Sequence, residues 1–546
     1  MNNKLNIMKK HAWINVLSIL TVSGIILGLW GFCKQNGSFS DSLYKTFQLF
    51  FVNIEVEQLR SWQLHWARWL IFAAFLWATF RLFVEIIASQ FFSNLRIKFC
   101  YRNHILICGL NRITMILAEK YSSEKIIVLA EESNKYAEAL RTKGAKLLIG
   151  DLSDQSFLQK AQIGKASRIF AVIDGDDRKN VEIAQTVFFA TETISRTKTL
   201  KCLTLIGNRK LKTILEDSTL FRDKAKTFDG TLFNINEMGI KYGLAMNIDK
   251  ILPETMNTPP EVLLVGLTEK MEKALLNLVH CLTLKREPFK FVIVENNAEK
   301  IRYFQKRYAY LQCFAEIEYK ETICKGHFDA VLICIENQTE AIEKAIEVRY
   351  LLGKNEPNIV VFCDDTDSFI DVLEKEGKLN KKGEKEIFTL KDRNILTINL
   401  FRQIADYIFD LEQHIEEKAQ TAHYFWQEIY HEEGKEWEQL TEHFRQSNRN
   451  QILDNYLRFY IARGEKFDSI KNRLISFSDS EKETLAIMEH RRWMIEKYED
   501  GWTYSAKRSD ILKQHPCLTD WEKLSEVNQQ KDFIAVNLMI KLLNNQ

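Results

Sequence analysis

The residues best suited to recognition chemistry lie near the C-terminus, where Trp493, Trp502, Tyr504 and Trp521 share one stretch with His490, Arg491 and His515. Aromatic faces stack on a nucleobase, and a guanidinium from Arg449 or Arg491 meets a phosphate with paired donors. The same residues also suit a small aromatic core capped by polar groups, and the pattern leaves both readings open. A second candidate is the turn Gly109-Leu110-Asn111-Arg112-Ile113-Thr114. It keeps only the first glycine of the dinucleotide fingerprint G-x-G-x-x-G. Asn111 tolerates left-handed backbone better than most residues, whereas Thr114 crowds the place of a pyrophosphate. Glu131, 22 residues after Gly109, stands where a ribose-binding carboxylate falls. A nucleotide or dinucleotide cofactor and a purely structural turn both remain open there. The acidic run Asp174, Asp176, Asp177 suits either a divalent ion or a solvated loop, and its spacing is not that of a calcium loop. There is no HExxH, GxSxG or Walker loop, and His423 and His431, eight apart, suit a solvated helix face. No enzyme activity and no metal centre are expected.

These residues sit in a chain of 546, long enough for several domains. Lys and Arg (75) nearly balance Asp and Glu (73), so global charge offers no argument for nucleic-acid binding. The ten cysteines show no CxxC pair, and several lie in apolar strand-like runs, such as Cys108, Cys334 and Cys363. That is the usage of reduced cytosolic thiols.

The N-terminal end is different. Ala12–Phe32 is an uncharged run long enough for a bilayer; the lysines before it also fit a cleaved signal peptide, against which the run is long for a signal core and no A-x-A-like site follows. A second apolar run extends from about Trp69 to Ile87, with Arg81 and Glu85 four apart on one helical face. They either face a bundle interior or snorkel to the interface. Lys4, Lys9 and Lys10, then Arg96, Lys98 and Arg102, flank the two runs on one side. The positive-inside bias puts both termini in the cytosol of a multi-pass plasma-membrane (inner-membrane) protein. Between the runs, Ser40 or Asp41 can cap a short helix SLYKTFQLFF. SLYKTF resembles the pore helix of two-span potassium channels. In that register the TVGYG filter falls on Val52, Asn53, Ile54, Glu55 and Val56, which include no glycine. Potassium selectivity is therefore not expected, and a ring of Glu55 or Glu57 would favour cations by charge alone. A non-conducting extracellular hairpin is the alternative.

From His104 the pattern becomes strand–helix alternation: HILICGL, KIIVLAEE, AKLLIGD and ASRIFAVID with helical periods between them. That predicts a parallel sheet of Rossmann type. With GDLSDQSFLQKAQIGKA it resembles the N-lobe of a regulator-of-potassium-conductance (RCK, TrkA-N) domain over about residues 103–245. The resemblance implies a ligand cleft lined by Gly109, Asn111, Glu131, Asp151 and Asp174, and a ring that pulls on a pore helix. After NTPP the series repeats with EVLLVGL, FKFVIVEN, FDAVLICIEN and NIVVFCDD, similar to a second, diverged lobe. Its turn, Gly266 to Met271, is expected to be structural. Tandem lobes behind one helix pair resemble the large Castor/Pollux-type channels, which implies a homotetramer.

The stretch Leu485–Glu526 resembles the RyR domain at His490, Trp493, Gly501 to Tyr504, Asp510, Lys513, His515, Pro516, Leu518, Trp521 and Leu524, and the match continues at Lys531 and Asp532. It departs at Ser505 and at Thr519-Asp520. The resemblance implies a sensor for a small nucleotide-like ligand. The expected plan is membrane helices at 1–98, Rossmann-like α/β domains at 99–255 and 256–402, and a helical RyR-type domain at 403–546. The function expected is a ligand-gated channel subunit, oligomeric and lipid-embedded. The alternatives are an anti-phage effector that depolarises the membrane on a nucleotide messenger, and a membrane-anchored scaffold or Rossmann enzyme.

Overall fold

The computed structural model describes residues 2–36, 38–49, 61–83, 97–194, 196, 198–222, 227–252, 260–282, 289–323, 325–353, 357–364, 390, 393–430, 435–466 and 474–544. The chain divides into two compact units, Met1–Tyr101 and Arg102–Gln546.

In the first unit α1 (Asn2–Asn36) packs against α2 (Phe39–Gln48) and α3 (Trp62–Phe83). Small residues make the approach possible, as in membrane bundles. A Cβ on Gly24 would stand 2.7 Å from Ile71, and one on Gly28 would stand 2.9 Å from Thr46. The short helix is thus held against α1 by Thr46, whose hydroxyl donates back to the Ser42 carbonyl at 2.7 Å. Its N-cap is Ser38 rather than Ser40 or Asp41, because the helix begins at Phe39. Among the described residues, one helix, over Val16–Gln35, is long and apolar enough to cross a membrane. The second expected span is helical only over Trp62–Phe83 among these residues. Its continuation to Ile87, with Glu85, lies outside them, as do Val52, Asn53, Ile54, Glu55 and Glu57. Arg81 occupies the last turn of α3 and is half-buried. Large apolar side chains of both long helices stay exposed, among them Ile19, Ile26, Trp30, Trp66, Phe75 and Phe80. A soluble surface rarely carries so many.

In the second unit two six-stranded parallel sheets follow one another. The first contains β1 (His104–Cys108), β2 (Ile126–Ala130), β3 (Lys146–Ile149), β4 (Ala166–Ala171), β5 (Leu200–Leu205) and β6 (Phe228–Phe233), in the order β3-β2-β1-β4-β5-β6. The second contains β7 (Glu261–Val265), β8 (Phe289–Val294), β9 (Ala315–Lys320), β10 (Ala330–Ile333), β11 (Asn358–Cys363) and β12 (Ile395–Asn399), in the order β9-β8-β7-β10-β11-β12. Both are the doubly wound order 3-2-1-4-5-6. Central strands such as HILIC are buried at every position, as helices on both faces require. Four strands lay outside the sequence pattern: β5, β6, β9 and β12. β9, AEIEYK, is an edge strand with alternating acids, and β6 carries Gly230.

The lobes exchange their exit helices. After β6, α10 (Ile240–Ile251) packs on β11 and on α11 (Glu269–Leu282) of the second lobe. After β12, α14 (Leu400–Asp410) packs on α4 (Arg112–Lys120) of the first, where Lys120 meets Asp406 at 2.7 Å. Gly243 of α10 lies close against β12, where a Cβ would stand 3.0 Å from the Ile398 side chain. The C-terminal part is helical: α15 (Glu416–Tyr430), α16 (Glu442–Arg463), α17 (Asp479–Glu499) and α18 (Glu526–Asn544). Two short strands, β13 (Thr503–Tyr504) and β14 (Gln514–His515), pair in parallel before α18. One hydrophobic core runs through both lobes and these helices, and a separate one, with Leu263, Val292, Val331 and Ile359, lies within the second lobe.

Candidate functional site

The turn after β1 is closed on itself. Gly109 has φ +123°, and a Cβ there would stand 3.0 Å from the Val172 carbonyl oxygen, so glycine is required. Asn111 is extended rather than left-handed. Its Oδ1 caps α4 by accepting the Thr114 amide at 3.0 Å, and its Nδ2 donates to the Val172 carbonyl. Thr114 is buried, and its hydroxyl donates to the Gly109 carbonyl at 2.9 Å. The two residues that replace fingerprint glycines therefore knit strand, turn and helix together, and one amide that a phosphate would use is already bonded. Glu131 is exposed and paired with Lys179 of α7 (Asp177–Glu192) at 2.7 Å. Asp151 is exposed and accepts the Ser153 amide at 2.8 Å. Asp174 is exposed, Asp176 caps α7, and Asp177 accepts the Gly207 and Asn208 amides at 2.6 and 2.8 Å. Capping accounts for the acidic run, and no cluster that could hold a metal ion occurs among the described residues.

In the second lobe the corresponding crevice is filled from within. Lys270 is fully buried, with Nζ 2.9 Å from Asp364 and 3.5 Å from Glu336 at the ends of β11 and β10. Glu295, just past β8, accepts the Leu267 amide of the turn at 3.2 Å.

The C-terminal helices enclose a cavity of about 370 Å³, within the range of small-molecule sites. Three residues singled out in the sequence line it: His490, Trp493 and His515. His490 stacks on Trp493 at 5.9 Å, and Trp493 meets His515 edge-on at 4.9 Å. Trp521 and Trp502 extend this chain of rings on either side, packed against His490 and His515 at 5.9 and 6.2 Å. Trp502 and Trp521 pack against the hydrophobic core, while Trp493 forms a wall of the cavity. Lys531 and Asp532 of α18, which match the RyR pattern, line it too, and residues that sequence reasoning passed over complete the lining: Gln451 on α16, Glu489, Arg492, Glu496 and Lys497 on α17, and Asn528 on α18.

The electrostatics of the cavity divide into a closed floor and an open rim. Arg492 holds Glu489 with two bonds of 3.0 and 2.9 Å and Glu496 with one of 2.8 Å. Glu489 also accepts from Arg458, and Glu496 from the Ser447 hydroxyl at 2.6 Å. Asp532 lies 3.4 Å from His490 Nδ1, and burial raises its carboxyl pKa although His490 pulls it down. His515 Nδ1 accepts the Cys517 amide at 3.1 Å, which leaves the proton on Nε2 as a donor. Burial, then Arg508, Lys497 and Lys531, keep that ring below the usual histidine pKa. The rim adds Lys497, with Nζ 5.0 Å from the Trp502 ring, and exposed Lys531. Aromatic wall, amides and lysines suit a ligand with a planar face and an anionic group.

The remaining expected contacts are corrected. Arg449 is buried away from the cavity, bidentate to Glu416 at 2.7 and 3.0 Å and bonded to Glu442. Its guanidinium is engaged within the protein. Arg491 is half-buried outside the lining, in the field of Glu522 and Asp520, and its neighbour Arg492 takes the cavity position. Asp510 is exposed and paired with Arg508 at 2.9 Å, and Tyr504 is exposed on β13.

The fold and cavity define a protein of tandem doubly wound lobes with a helical module that holds a cavity. Residues 105–208 match the TrkA-N domain family and residues 467–545 the RyR domain family, so the chain carries one domain of each. Among solved structures it is similar to the GsuK channel, at 15% identity over 76% of this chain and 100% of that one, with a TM-score of 0.34. GsuK bound to ADP matches at 13% identity over 76% and 100%, with a TM-score of 0.35. The GsuK channel bound to NAD matches at 13% over 75% and 84%, with a TM-score of 0.34. Likenesses at these scores carry no argument about ligand or assembly.

Proposed function

We propose that this protein is the subunit of a ligand-gated ion channel in the plasma membrane. α1 and α3 span the bilayer, α2 is a re-entrant helix between them, and both termini are cytosolic. Four subunits assemble, the paired lobes form a gating ring, and the RyR domain is the sensor of a nucleotide-like ligand. The pore discriminates poorly between sodium and potassium, and the chain has no catalytic turnover.

The observation that carries the reading is the continuity between the cavity and the lobes. One of the helices that line the cavity also grips the exit helix of the first lobe: Asp454 of α16 meets Lys241 of α10 at 2.8 Å, both buried. Tyr498, at the end of α17, stacks on Tyr310 of the second lobe at 5.5 Å. A ligand that changes how α16 and α17 pack must change how the exit helices sit, which is the differential contact that allostery needs. The exposed apolar faces of α1 and α3 support the bilayer placement.

The test is ion flux through the purified chain in liposomes, under sodium, potassium and chloride gradients, across adenine and guanine nucleotides. Nucleotide-dependent cation flux with weak Na/K discrimination is expected, and Lys531→Glu should shift the dose response to higher concentration. Intact oligomers that pass no ion with any nucleotide would overturn the channel reading.

A further inference from the structure

His280, on α11, is 8% exposed, and neither of its ring nitrogens has a hydrogen-bond partner. The hydroxyl of Tyr310 is also buried without one. Native structures seldom leave such groups unmatched. Both feel the carboxylate of Glu499 in the last turn of α17. Its Oε2 is 3.8 Å from His280 Nε2, and its charge bears on the Tyr310 hydroxyl. At 3.8 Å no hydrogen bond forms, and a shift of about 1 Å would make one.

The other charges around His280 are already matched. Asp454 of α16 is held by Lys241 of α10, and Arg492 and Glu496 of α17 hold each other. Lys273 of α11 and Arg209, whose charges bear on Glu499, have their own partners in Glu237 and the Tyr308 hydroxyl. Glu499 has no closer ion pair than His280 among the described residues, and its side chain is 23% exposed. It can move.

We propose that Glu499, His280 and Tyr310 form a proton-operated latch between the sensor helix and the second lobe. With His280 neutral the latch is open, as in this structure. Protonation of His280 draws the last turn of α17 inward until Glu499 bonds the imidazolium and the phenol. The same helix presents Arg492, Trp493 and Glu496 to the cavity, so latch closure and ligand occupancy act on one element. Acidity then sets how readily a ligand works. The latch rests on the sensor reading only for this use.

The direction follows from burial. Burial pushes the His280 pKa below the ordinary 6.5, against the pull of Glu499 and Asp454. The open arrangement is therefore unpenalised above that value and loses stability as pH falls from it toward the lowered pKa of the buried ring. The closed arrangement gains over the same window.

Hydrogen exchange of the full chain in nanodiscs, without ligand and corrected for intrinsic rates, tests this directly. Between about pH 7.5 and about pH 5.5, amides of residues 496–502 should gain about tenfold protection, the effect of one unit of differential protonation. His280→Gln and Glu499→Gln should each abolish the gain. A gain that persists in both variants, or none in the wild type, overturns the latch. Should His280→Gln fold poorly, Glu499→Gln carries the test alone, because that side chain is partly open. Protection with no nucleotide binding would refute the sensor reading and leave the latch standing; binding without protection would do the reverse.

Discussion

Replacing Arg449 separates a ligand contact from a structural one. In the sequence Arg449 reads as a phosphate partner, and on that reading Arg449→Ala weakens ligand response and leaves folding intact. In the structure it is 3% exposed and joins Glu416 of α15 to Glu442 on its own helix. Burial alone would favour loss of its proton, but Glu442 and Glu416 more than reverse that, so the cation is firmly held. Removing one partner of a buried pair costs about 3–5 kcal/mol, because the other charge is left without compensation. Two features put Arg449→Ala toward the lower end. Glu442 keeps Arg445 at 2.9 Å, and Glu416 is 22% exposed and keeps the Trp437 indole N–H at 3.1 Å. The expected loss is about 3 kcal/mol.

For a cooperative unit the size of residues 102–546, an unfolding entropy of about 2.1 cal/mol/K per residue makes this roughly a 3 °C fall in melting midpoint. Differential scanning fluorimetry of the full chain in detergent measures it, and titration below the transition measures nucleotide affinity of the folded protein. The midpoint should fall and the affinity should stay. Arg449→Lys should recover only part of the loss, since an ammonium cannot bridge two carboxylates in a fork. An unchanged midpoint with a weakened nucleotide response would refute the assignment and return Arg449 to the ligand.

Two further outcomes probe the lobes. Gly109→Ala places a Cβ 3.0 Å from the Val172 carbonyl in a backbone of φ +123°, so it should destabilise by about 1–3 kcal/mol in chemical denaturation and leave the RyR cavity's nucleotide affinity unchanged. Loss of that affinity would move the ligand to the first lobe. Glu237 is disfavoured as an anion by burial, but Lys273 and Lys212 more than offset this, and its carboxyl lies far below the usual range. Its contribution is present above the ordinary pKa of 4.5 and is lost as pH falls below it, so Glu237→Gln should flatten the acid limb of the melting-midpoint profile between about pH 5 and about pH 3.

The lobes were legible because parallel strands covered on both faces must be apolar throughout. HILIC and EVLLV cannot be hidden by any surface requirement. β9 was not legible, because an edge strand exposes one face and its acids break the run. No local rule announces that the exit helices change lobes; that is set by long-range packing such as Gly243 against Ile398, 155 residues away in the chain. The C-terminal site shows where composition misleads. Glu442, Arg445 and Arg449 stand at i, i+3 and i+7, and so do Glu489, Arg492 and Glu496. Each set forms one charged stripe along a helix. That spacing was the available sign that Arg449 pairs within its own helix, and it equally marks Arg492 as held. What spacing cannot say is which stripe borders open space. α16 turns its stripe toward Glu416 and is sealed there, whereas α17 turns its stripe toward Gln451 and Lys531 and leaves a cavity. Identical local chemistry becomes core in one helix and the floor of a pocket in the other, and only the packing of the fold decides between them.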